Sequence, residues 1–203
     1  MSETNIAPKR AAERIRDAAR ALFYTQGIRA VGVDEIVTTA GVTKPSLYRA
    51  FPSKDALAAA FVADWGAEAV ARFDAILAKH PGDPREGVLA WFKRLSSRAG
   101  DKSFRGCAAS NAAVEFPERG HPARAAAITH KKAMRRRLGE VARELGARKP
   151  DQLADSLMLL MEGCLVTGQM FDADGPADAA KKAAGALIDA YVERESAYLR
   201  EAD

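Results

Sequence analysis

The sequence predicts an all-α fold of about nine helices. Three observations lead there: apolar residues recur at helical spacing through nearly the whole chain, no stretch alternates as a half-buried strand does, and Gly or Pro marks the breaks between patterns. With 203 residues and 48% apolar content, the chain is long enough to bury a core as one average domain or two small ones.

The elements follow in order. Ile15, Ala18, Ala19, Leu22 and Phe23 form the apolar stripe of a first helix over 8–26, basic on its opposite face and stopped by Gly27. A short helix over 33–40 breaks at Gly41, and another over 44–49 has Thr43 at the place of a cap. Ser53 offers a cap to a long helix carrying Leu57, Phe61, Trp65, Phe73 and Ile76 on one stripe, ended by His80-Pro-Gly-Asp-Pro84. Helices over 84–99, 106–115 and 122–145 come next, the second stopped by Phe116-Pro117 and the third by Gly146. Residues 157–166, LMLLMEGCLV, are apolar almost all round and suit a helix buried on several sides. A loop at 172–178 precedes a last helix striped with Ala180, Ala184, Leu187, Tyr191 and Tyr198.

Composition excludes several function classes. No apolar run reaches the roughly 18 residues a membrane helix needs, and the first ten residues lack a signal peptide's apolar centre, so a cytoplasmic location without membrane contact is expected. Cys107 and Cys164, without CxxC spacing or paired His, indicate neither a disulfide framework nor a zinc site, and no cofactor is expected. His80, His121 and His130 have no metal-ligand spacing, and neither a phosphate loop nor a GxSxG nucleophile occurs.

Charge is unevenly placed. Residues 1–54 carry nine Lys/Arg against five acids, whereas the other 149 carry 22 of each sign. That is the footprint of a small polyanion-binding module joined to a neutral domain. A second cationic segment, 119–149, places Lys132, Arg136 and Arg143 on an outward face, a solvated surface or a second anion contact.

Two short helices around a Gly-containing turn match the helix-turn-helix pattern, with Ile36, Val37, Val42 and Leu47 filling the space between them. A plain helical corner needs no more. Thr43, Lys44 and Ser46 add a polar set at the start of the second helix, where free N–H groups and the helix dipole favour anions, the end that enters the major groove in such proteins.

Residues 33–57, VDEIVTTAGVTKPSLYRAFPSKDAL, resemble the DNA-binding signature of the TetR family of bacterial transcription repressors. Tyr48, Phe51, Lys54 and Leu57 stand at the spacings of its Tyr-x-x-Phe and Lys-x-x-Leu elements, and LFYTQG at 22–27 adds to the likeness. Val37 departs from it, since the family often has Ala there. The resemblance implies a DNA-binding domain over 1–53 and a helical effector-binding and dimerisation domain over 54–203. It assigns Thr43, Lys44 and Ser46 to base edges or adjacent phosphates, Tyr48 and Lys54 to phosphates, and Pro45 to apolar contact with a thymine methyl.

One recognition helix touches few bases, so a homodimer reading two half-sites of a palindromic operator is expected. The resemblance places its interface on the last two helices as a four-helix bundle, with Leu157, Met161, Leu187 and Tyr191 as candidates. It also implies that an unidentified small-molecule effector wedged in the second domain tilts the connecting helix and releases the DNA. Trp91, Phe92, Cys107, Asn111, His130, Met134 and Cys164 are the pocket candidates. Two alternatives stand beside the repressor: an activator of the same fold, and a helical-bundle enzyme using His130 with Glu115 or Glu162.

Overall fold

The computed structural model describes residues 10–98, 101–171 and 175–192. Among them are nine α-helices and no strand: α1 Ala11–Gln26, α2 Val33–Ala40, α3 Lys44–Ala50, α4 Lys54–Leu77, α5 Pro84–Ser96, α6 Ala108–Glu115, α7 Pro122–Glu144, α8 Pro150–Thr167 and α9 Ala180–Val192. The fold class is therefore as expected. Residues 8–9 of the first expected helix, Ala99, the loop residues 172–174 and 193–199 with Tyr198 lie outside the described residues. The last helix differs at its start: a 3-10 turn, Pro176–Ala179, precedes α9, because Pro176 fixes the backbone and brings no N–H donor. No described helix is long and apolar enough to cross a membrane.

The described residues form two compact units, those up to 66 together with 108–129, and those of 67–107 together with those from 130 on. In the first, Ile15, Ala19, Ile36, Leu47 and Ala58 are fully buried, and Phe23 meets Phe61 edge to face at 5.7 Å. Burying a side chain such as Ile36 or Leu47 contributes roughly 1.5–3 kcal/mol. Val42 is half-buried at the turn.

Local chemistry sets the corners. Gly41 ends α2 in the left-handed region (φ 60°, ψ 42°), while the Val42 amide donates back to Val37 O at 3.0 Å. A side chain at that φ would cost roughly 1–2 kcal/mol, so the glycine lets α3 start after only three intervening residues. Ser53 Oγ accepts from the Ala56 amide at 3.0 Å and caps α4, and Asp83 does the same for Glu86 at 2.9 Å before Pro84 opens α5.

The second unit is a helical bundle. Phe73, Val88, Phe92, Leu138, Leu153, Ala184 and Ile188 are buried at its centre. Ion pairs tie its surface: Arg85 grips Asp189 through two bonds of 3.0 and 2.9 Å, Arg143 reaches Asp151 at 2.9 Å, and Arg135 pairs with Asp155.

Candidate nucleic-acid interface

Helix α3 has seven residues, and its two sides differ sharply. Leu47 is fully buried and seals the helix to α1 and α2, whereas Thr43, Lys44, Pro45, Tyr48 and Arg49 are exposed and Ser46 is partly so. The polar set is thus gathered on one outward face, held by a single apolar anchor.

The details change two readings. Thr43 occupies the N-cap position with extended backbone (φ −98°, ψ 156°), yet its hydroxyl meets the Ser46 hydroxyl at 3.1 Å and caps no backbone N–H. The first-turn amides of α3 are left to another acceptor. Lys44 Nζ lies 2.7 Å from Asp34 Oδ1, and this hydrogen bond raises the lysine pKa above its ordinary value, so the ammonium keeps its charge throughout the neutral range. Both partners are exposed, a kind of pair worth little, and a phosphate can take over the ammonium.

Much of the basic excess is spent inside the unit. Arg14 donates to Gly41 O at 3.2 Å, Arg16 pairs with Asp64 and lies 5.3 Å above the Phe51 ring, and Arg20 lies 5.4 Å above Trp65. Lys54 Nζ donates to Arg29 O at 3.3 Å, which leaves its other two donors for solvent or phosphate. Arg49, exposed in the last turn of α3 beside Tyr48, belongs with the candidates, and its place on the same short helix is the signal that finds it.

The pocket candidates are divided. Trp91, Phe92, Met134 and Cys164 lie in the core of the second unit, and His130 is buried there, while Asn111 sits half-buried on α6 in the first. Trp91 packs edge-on against Phe73 at 5.4 Å, and neither its Nε1 nor His130 Nδ1 has a hydrogen-bond partner. Cys107 precedes α6 and accepts from Lys131 Nζ at 3.2 Å; Lys131 also pairs with Glu162. Burial pushes the Cys164 thiol pKa up, which keeps it unreactive. Glu115 is committed to backbone amides of the first unit. No group of three His, Cys, Asp or Glu among the described residues is arranged to hold a metal.

Of the interface candidates, Leu157 and Met161 lie inside the core of a single chain and Leu187 and Tyr191 pack half-buried against it. Leu157 and Met161, covered by their own chain, have little area left to give a partner, whereas Leu187 and Tyr191 keep part of theirs. The exposed apolar residues of this stretch are Leu159 and Val166 on α8 and Met170 and Phe171 just after it. An open groove of about 580 Å³ lined by Arg85, Leu89, Lys182 and Gly185 also occurs in this unit, with Arg85 already engaged by Asp189.

Residues 15–61 match the family model for bacterial regulatory proteins of the tetR family. Two uncharacterised HTH-type transcriptional regulators of Mycobacterium tuberculosis are 44% identical over 52 residues, a match spanning only 26% of this chain and 26% of each relative. Solved structures extend the likeness to nearly the full length. A TetR-family transcriptional regulator from Streptomyces coelicolor is 27% identical, with 90% of this chain and 96% of that one covered and a TM-score of 0.83. A protein assigned as a TetR transcriptional regulator from Streptomyces avermitilis is 32% identical over 92% of this chain and all of that one, with a TM-score of 0.76. The chain belongs to the TetR family. Its first three helices are the TetR helix-turn-helix module, and membership places it among DNA-binding transcription regulators.

Proposed function

We propose that this TetR-family chain is a transcriptional repressor that binds a palindromic operator as a homodimer in the cytoplasm and leaves it when a small molecule binds the second unit. The observation that carries the reading is the outward face of α3, where Lys44, Ser46, Tyr48 and Arg49 surround a helix anchored only by Leu47. Lys44 and Arg49 neutralise phosphates, the Tyr48 hydroxyl donates to a phosphate oxygen, and Thr43, Pro45 and Ser46 meet base edges. Lys54 adds a phosphate contact at the start of α4.

Leu159 and Val166, seven residues apart, are exposed on one face of α8, and Met170 and Phe171 are exposed just beyond its end. Such exposed apolar area favours association with a second copy, and two heads on one dimer match half-sites about one helical turn apart. The orphaned Trp91 Nε1 and His130 Nδ1 support an effector site in the second unit, because a buried polar atom without a partner favours a ligand that supplies one. About 2.7 kcal/mol of preference for the non-binding arrangement shifts the equilibrium between the two arrangements roughly a hundredfold.

The test is selection of bound duplexes from a random pool at stated salt, then a search for compounds that release them. An inverted repeat with releasable complexes is expected. Absence of any sequence preference at low ionic strength overturns the reading, and a fall rather than a rise of neighbouring transcripts on deleting the gene makes the protein an activator.

A further inference from the structure

Beyond Gln26 the chain leaves α1 through a corner, Gly27 to Arg29, in which the Gly27 amide still donates to Phe23 O at 3.1 Å but the Ile28 and Arg29 amides have no helical partner. Glu115, the last residue of α6, supplies them. Its Oε1 accepts from the Ile28 amide at 3.1 Å and its Oε2 from the Arg29 amide at 2.7 Å, while the Arg29 guanidinium donates back to Glu115 O at 3.0 Å. Gly27 makes room for this approach: at φ 90° a side chain is strained, and a Cβ there would stand 3.3 Å from Glu115 Oε1. The corner is held further by Lys54 Nζ on Arg29 O at 3.3 Å and by the Phe116 ring, 5.7 Å below the Arg29 guanidinium.

This grip sits where it sets direction. The corner fixes how α2 leaves α1, and α2 in turn carries α3 through Gly41. A carboxylate on two successive amides gives charge-assisted bonds of fixed geometry, stiffer than water could provide.

We propose that Glu115 is a positioning residue for operator recognition. This rests on the repressor reading above and names a residue that sets its specificity. Specific binding needs the head at a set angle, whereas binding to any duplex needs only its charge, so loosening the corner costs the first and spares the second.

The experiment compares wild type, Glu115→Gln and Glu115→Ala on the selected operator and on a scrambled duplex of equal length and salt. In Glu115→Ala the ratio of the two affinities is expected to fall roughly tenfold with scrambled binding unchanged; Glu115→Gln, keeping one acceptor, falls less. An unchanged ratio in both Glu115 variants, or equal loss on both duplexes with less folded protein, overturns the role of Glu115. Should the alanine variant fail to fold, the glutamine variant decides. A wild type without sequence preference instead defeats the repressor reading itself, a result distinct from all of these.

Discussion

On α3 the buried Leu47 is followed directly by Tyr48, 48% exposed, and Lys44 and Arg49 are exposed on the same short helix. On α8 the buried Leu157 and Met161 alternate with Leu159, 74% exposed, so that core and surface are built from the same residue types. The head keeps its working side chemically different from its packing side. The second unit does not, because a surface of the kind proposed for a second copy and an interior meant for its own chain both reward apolar area.

The comparison is sharpened most by exchanging the roles on α8. Leu157→Ala is expected to destabilise the fold by about 2–5 kcal/mol, read from chemical denaturation, with the dimer retained where the protein is folded. Leu159→Glu is expected to dissociate the dimer in sedimentation while leaving monomer stability within about 0.5 kcal/mol. The reverse pair of results would return the interface to Leu157.

On the head the expected effects are smaller and fall on binding alone. Lys44→Ala should weaken the operator complex roughly tenfold and reduce the salt slope by about one, with no change in Tm or in dimerisation. Tyr48→Phe should cost roughly threefold, the value of one hydrogen bond to phosphate. Asp34→Asn removes the carboxylate that engages the Lys44 ammonium, and tighter binding to scrambled DNA by roughly twofold is expected in titrations at low salt.

The smallest effect is a pH one in the second unit. The hydrogen bond from Arg135 lowers the Asp155 carboxyl pKa, so the pair's contribution is whole above the ordinary carboxylate value and fades as pH falls through the lowered one. In Arg135→Met, a carboxyl titration by NMR should return Asp155 to its ordinary value.

The fold was legible because helix ends are written in local chemistry. Gly41, Ser53, Pro84 and Gly146 mark breaks that the structure keeps, and the 3.6-residue period supplied the rest. The outward set on α3 was legible for the same reason, since seven residues leave only one side free. Asp34 on Lys44 was not, because a side-chain pair between two short helices depends on their angle. Glu115 on the α1–α2 corner was further from view: its partners are 86 and 87 residues away in sequence, and an acidic residue at a helix end looks like any solvated surface group. Leu157 and Leu159 could not be told apart by type, and only the packing of α8 against its neighbours separates them.

The central claim is that α3 of each chain reads one half of a symmetric site. Hydroxyl-radical footprinting of the selected duplex tests it most directly, with chain stoichiometry read on the same complex. Two protected patches on one face of the DNA, centred about ten base pairs apart, with two chains bound and both patches lost in Lys44→Ala, are expected. A single patch, protection spread evenly over the duplex, or a footprint indifferent to Lys44 would contradict it.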